Sequence, residues 1–166
     1  MTDNVRKVVE EIAKEFKVLA QMVMDEVGVN DKVGRNTLVD SNLYKSVGVE
    51  IEEDGSNVVM HLLMNDYIDY VEKGLPPRYE KLKGKFMHSG RVIEALTKWL
   101  VRKGICPSNE AVRMAYAVRW GIYENGIKGR PVIETIAQQT EDEFNGWVER
   151  IYEVVLKDTY EWFKQH

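Results

Sequence analysis

From Val132 to about Phe163 the chain carries one helical apolar stripe: Ile133, Ile136, Ala137, Phe144, Trp147, Val148, Ile151, Val155 and Trp162. At 1.5 Å per residue such a helix reaches about 45–50 Å, longer than a small domain is wide. No other segment constrains the fold as strongly. A helix that overhangs its own domain is expected to pack on a neighbouring subunit. The stretch TEDE (Thr140–Glu143) has the form of a capping box and offers a break near Thr140.

A second long helix is predicted over Asp3–Val27. Val5, Val8, Val9, Ile12, Phe16, Leu19, Ala20, Val23 and Val27 recur at i, i+3, i+4, i+7. Thr2 or Asp3 can cap its start and Gly28 can end it. After a polar loop, Thr37–Lys45 is expected to add a short helix capped by Thr37, with Leu38 and Leu43 inward. Val47, Val49 and Ile51 then alternate with Gly48, Glu50 and Glu52, as in a strand with one covered face. EDGS (Glu53–Ser56) offers an Asp-Gly turn. The return strand, Asn57–Met64, is apolar almost throughout, which predicts cover on both faces.

DYIDYVEKG (Asp66–Gly74) predicts a short helix ended by Gly74, because Pro76 and Pro77 stop it. Residues 75–90 form a long basic loop. Arg91–Lys103 is helical, with Val92, Ile93, Leu96, Trp99 and Leu100 on one face. Ser108 or Asn109 is expected to cap a further helix to about Tyr123, burying Val112, Ala115, Tyr116, Val118 or Arg119, and Ile122. ENGIKGRP is a turn, and Pro131 suits a first helical position.

Length and composition set the outer limits. At 166 residues, 44% hydrophobic and 30% charged, the chain can build a core and is not of disordered type. No apolar run approaches the ~18 residues that span a bilayer. The N-terminal stretch lacks a signal-peptide core, which argues against export. A single cysteine, Cys106, excludes an internal disulfide and a cysteine-based zinc site, and fits synthesis in a reducing compartment. The net charge of −4 conceals a basic stretch, Lys73–Lys103, with nine Lys/Arg against two Asp/Glu.

Motifs for chemistry are absent. The sequence holds no GxxxxGK[ST], GxGxxG, HExxH, GxSxG or paired CxxC. His61 falls in a strand that looks buried, and suits a satisfied sheet histidine better than a catalyst. Cys106 has no base in its neighbourhood, and a nucleophile needs one. Asp66, Asp69 and Glu72 project in similar directions from a helix and resemble a cation site. The wet face of a short helix accounts for them better, because the other ligands of a cation site are not identifiable. No catalytic residue, metal or cofactor is therefore assigned, and the chain is expected not to be an enzyme. Arg78, Lys81, Lys83 and Lys85, interleaved with Tyr79 and Phe86, suit phosphate contact, docking on an acidic neighbour, or plain solvation.

Three stretches, in order, resemble the tail-completion and head–tail joining proteins of tailed bacteriophages. NTLVDSNLYKSVGVEI (Asn36–Ile51) resembles the family's Leu-x-x-Ser stretch before a hairpin. YIDYVEKG resembles its Tyr-x-x-Tyr-Val-Glu-x-Gly signature, carried by Tyr67, Tyr70, Val71, Glu72 and Gly74. GIKGRPVIETIAQQ (Gly126–Gln139) resembles its closing segment, carried by Gly129, Arg130, Pro131 and Ile133. The chain departs from the pattern at Lys73 and Val132, where the family often has aromatics. It also departs in the roughly fifty residues, Leu75–Asn125, between the last two motifs.

The resemblance implies an α+β subunit, with a small antiparallel hairpin packed on long N- and C-terminal helices. The body would be 1–74 with 127–166, and 75–126 would be a basic loop plus two inserted helices. It also implies a closed homo-oligomeric ring at the neck or tail top of a virion, around the DNA channel and against portal, neck or tail rings. Such a ring would assemble in the bacterial cytoplasm, with no membrane partner. Candidate subunit or ring contacts are Tyr67, Tyr70, Glu72, Arg130, Pro131, Trp147 and Trp162. Arg78, Tyr79, Lys81, Lys83, Lys85 and Phe86 are candidates for a neighbouring ring or passing DNA. The alternative is a non-catalytic DNA-associated accessory protein that uses the same basic insertion.

Overall fold

The structure is a computed structural model that describes residues 1–30, 35–55, 57–77 and 90–165. The fold is α+β. The chain forms two compact units: residues 1–72 with 130–166, and residues 73–129.

The first unit is built on two antiparallel helices, α1 (Asp3–Val27) and α6 (Val132–Gln165). Thr2 caps α1 by accepting the Val5 N–H at 3.3 Å. α6 runs unbroken for 34 residues. The break offered at Thr140 does not occur, because that hydroxyl bonds back to the Ile136 carbonyl at 2.7 Å inside the helix. Polar links zip the pair: Gln139 to Glu26, Trp147 to Glu15, Arg150 to Glu15 and Glu11, and Asp158 to Thr2 and Asn4. In this register residues 159–165 run past the start of α1.

Between the long helices in sequence lie a two-residue ladder, β1 (Val29–Asn30) with β2 (Arg35–Asn36), then α2 (Asn42–Ser46), a hairpin and α3 (Ile68–Lys73). α2 is shorter than expected. Its cap is Ser41, which accepts the Tyr44 N–H at 3.1 Å, and not Thr37. The hairpin pairs β3 (Gly48–Asp54) with β4 (Asn57–Leu63) in an antiparallel register that brings Asp54 opposite Asn57. Asp54 is thus a strand residue, and the connection is one position later than an Asp-Gly turn.

β3 packs against α1, and Leu62 and Met64 reach the core. The expected cover on both faces of β4 is absent. Val59 and Leu63 are exposed, because a two-stranded sheet with one helix layer covers one face only, and Val58, on the other face, is exposed in the cleft at the hairpin tip. His61 shares the open face and bonds Glu52 on β3 at 2.9 Å.

The core gathers Ala20, Val23 and Met24 of α1, Leu38, Leu43, Val47, and Val132 and Ile136 of α6. It lies at the end of the pair formed by the close of α1 and the start of α6.

The second unit holds α4 (Gly90–Arg102) and α5 (Ser108–Asn125), packed on Ile93, Leu100 and Ala115, with Trp99, Cys106 and Val118 beside them. Pro107, not Ser108 or Asn109, occupies the cap position of α5. The buried stripe of α5 is Ala111, Ala115, Arg119 and Tyr123. Val112 and Tyr116, expected inside, are exposed. The unit is stemmed by β5 (Gly74–Leu75) paired with β6 (Ile127–Lys128). Gly74 has φ +70, and a Cβ there would lie 2.2 Å from the Ile127 carbonyl oxygen. Only glycine fits both demands. Among the described residues no helix is long and apolar enough to cross a membrane.

Candidate functional site

The family-like motifs converge on one place in the first unit, where three helix ends meet. Helix termini leave backbone groups without intrahelical partners, and something must satisfy them. α1 ends at Gly28. The Asn36 amide donates to the Met24 carbonyl at 3.0 Å and the Asp25 carbonyl at 2.7 Å, and its oxygen accepts the N–H groups of Leu38 and Val39. Gly28 makes room for it, since a Cβ there would lie 2.2 Å from Asn36 Oδ1. Arg130 completes this end, donating at 2.8 Å to both the Gly28 carbonyl and Thr37 Oγ1.

α2 begins with Leu43 N–H donating to the Tyr67 hydroxyl at 2.8 Å. α6 begins under Glu72, whose carboxylate accepts the N–H groups of Ile133 at 2.8 Å and Glu134 at 3.4 Å. A carboxylate there also meets the positive end of the helix dipole. The Arg130 N–H donates to the Val71 carbonyl at 2.9 Å, clipping α3 to the approach of α6. Burial lowers the Arg130 pKa from its ordinary value, and the nearby Tyr67 phenol partly opposes this. The guanidinium remains charged at any ordinary pH.

Tyr67, Glu72 and Arg130, candidates for contact between subunits, are thus committed inside the chain as remote caps. Trp147 is also spent internally. It is 8% exposed, packs edge-on against Phe16 at 5.9 Å, and donates Nε1–H to Glu15 at 3.0 Å. The Arg150 guanidinium is drawn to the same Glu15 carboxylate, which raises its pKa. Glu72 is occupied in capping, and among the described residues no cluster of three His, Cys, Asp or Glu side chains could hold a metal ion.

Tyr70, Pro131 and Trp162 are exposed, Tyr70 at 63%. Arg78, Tyr79, Lys81, Lys83, Lys85 and Phe86 lie outside the described residues.

An open apolar surface lies elsewhere in the unit. Beyond Ile136 only Trp147 of α6 is buried. Phe144, Val148, Tyr152, Leu156 and Tyr160, each four residues from the next, are exposed, and Phe163 is 69% exposed. The stripe anticipated from spacing is therefore wider than one partner helix covers, and Tyr152, Leu156, Tyr160 and Phe163 were missing from it. The i+4 recurrence from Phe144 marks the first three, and Phe163 follows Tyr160 at i+3. Near the start of α1 a cleft of about 740 Å³ opens between that helix, the hairpin tip and the end of α6. No protein-family model, curated protein or solved structure matches this chain.

Proposed function

We propose that the chain is a structural, non-catalytic subunit of a closed ring at the neck or tail top of a tailed-phage particle, joining head to tail around the DNA. The carrying observation is the uncovered apolar face of α6. Contiguous exposed apolar surface on a soluble domain marks an interaction site. Here it runs from Phe144 to Phe163 along a helix whose last residues, including Tyr160, Trp162 and Phe163, extend past α1. A closed ring of head-to-tail contacts would cover such a face in every copy. The resemblance of the Tyr67–Gly74 and Gly129–Ile133 stretches supplies the place in the virion and the portal, neck or tail rings as neighbours.

Mass measurement of the purified protein, followed by imaging of particles, tests the reading. A closed oligomer located at the neck is expected. A chain that stays monomeric at high concentration and is absent from particles overturns it.

A second reading rests on a different observation. Arg91, Lys98 and Arg102 stand at i, i+7 and i+11 on α4, along one exposed stripe. A DNA-associated accessory protein would use this stripe for phosphate contact without base readout. It requires salt-dependent duplex binding by the isolated chain, lost when the three are changed to Ala.

A further inference from the structure

The charge of this chain is segregated by unit. Residues 1–72 with 130–166 carry 11 Lys/Arg against 23 Asp/Glu, and residues 73–129 carry 12 against 4. Each copy therefore carries two units of opposite net charge, and any solution of the protein contains the complement to both.

The apolar surfaces have the same pairing. On the basic unit, one face of α5 exposes Val112, Tyr116 and Trp120, with the exposed Arg113 among them. Their spacing of four places the three apolar residues in a row. On the acidic unit, the 740 Å³ cleft is lined by Val5, Val58, Val155 and Trp162, together with Asp158 and with Glu53, whose carboxylate pairs with Arg6 at 3.2 Å. Hydrogen bonds from the Thr2 hydroxyl and then the Asn4 amide hold the Asp158 pKa below its ordinary value. The carboxylate thus stays charged at neutral pH. A cleft of this size is large enough to take an aromatic side chain. Aromatic residues and arginine are also the side chains that most often carry binding energy at protein interfaces.

We infer that the α5 face of one copy docks in this cleft of the next, Tyr116 or Trp120 entering it and Arg113 facing Asp158. The inference rests on the ring reading and adds its mode: head-to-tail, electrostatically steered, with the basic unit as the arm. Opposite charge favours the correct orientation of approach and penalises like-to-like pairing. A nucleic acid would meet the basic unit only, and would leave the apolar cleft unfilled.

The test uses the full chain. Sedimentation velocity across protein concentration, at low and high salt, is run on the wild type and on Arg113→Glu/Trp120→Ser. A photo-crosslinking residue replaces Tyr116 in a parallel sample. Self-association that weakens with salt, and that the double variant weakens about tenfold or more, is expected. Crosslinks from position 116 should map to Val58 or Trp162 on another copy. Circular dichroism of the variant checks its fold, and Tyr116→Ser serves if the double variant unfolds.

Oligomers indifferent to salt and to both variants, or crosslinked α5 to α5, overturn this contact and leave the ring reading standing. A monomer under all conditions overturns both. Binding of a labelled DNA duplex, lost in Arg113→Glu/Trp120→Ser while the protein stays monomeric, also overturns this inference.

Discussion

The two ends of the α1–α6 pair are made from the same kind of sequence and have opposite fates. At the end where α1 closes and α6 opens, Ala20, Val23, Met24, Val132 and Ile136 are buried under α2, the hairpin and α3. At the other end Val148, Tyr152, Val155, Leu156 and Phe163 face outward. Both stretches show helical apolar periodicity. The first is covered because Asn36, Tyr67, Glu72 and Arg130 hold extra elements over it. The second has one helix and a hairpin tip beside it. A periodic stripe states that a surface needs cover, and not what covers it.

The largest expected contrast between the ends comes from truncating the core. Leu43 is 0% exposed, so Leu43→Ala should destabilise by about 2–5 kcal/mol in chemical denaturation. Tyr152→Ser, a larger truncation at the open end, should move stability by less than about 0.5 kcal/mol. Comparable losses from the two would dissolve the distinction. Arg130→Gln comes next. It removes the charged donor to the Gly28 carbonyl and Thr37, at a cost of about 1.5–3 kcal/mol.

Glu72→Gln keeps an acceptor at the start of α6 but removes the charge, and should cost less, about 0.3–1 kcal/mol, in the same measurement. The smallest effect concerns pH at the open end. Bonds from Thr2, then Asn4, lower the folded pKa of Asp158 from its ordinary 3.8. Its contribution is therefore complete above that value and is lost as pH falls through the folded one. Denaturation midpoints of wild type and Asp158→Asn should differ at neutral pH and converge in strong acid. A gap that widens on acidification would contradict the sign.

The bounds of α1 were legible in the sequence, because helix propensity, the Thr2 cap and apolar spacing are local properties. So were the α+β class and the burial of Leu38 and Leu43. The work of Tyr67, Glu72 and Arg130 was not. Glu72 caps a helix that starts about sixty residues later, and no spacing rule reaches that far. A still longer separation, 102 residues, hid the target of Arg130, the Gly28 carbonyl. The α5 stripe keeps the expected Ala115 and Arg119 but differs at its ends, where Ala111, small and neutral in hydropathy patterns, is buried in place of Val112, and Tyr123 in place of Ile122. On β4 continuous apolarity suggested a strand covered on both faces. The tertiary context is a two-stranded hairpin with helix on one face, and Val59 and Leu63 are left outside. The candidate site divided along the same line. Tyr70, Pro131 and Trp162 are exposed, while Tyr67, Glu72 and Arg130 cap helices within the chain.

The paired stem at Gly74–Leu75 and Ile127–Lys128 has a consequence for how such a chain can change over time. An excursion that leaves and returns through adjacent, hydrogen-bonded positions begins and ends at one point. Whatever is spliced between Leu75 and Ile127 imposes no displacement on the strands that frame it. A tight two-residue turn would close the same ladder. The stem is therefore a splice port. Through it a lineage can acquire, enlarge or discard an entire unit in a single insertion or deletion, without renegotiating the caps at Glu72 and Arg130 on either side.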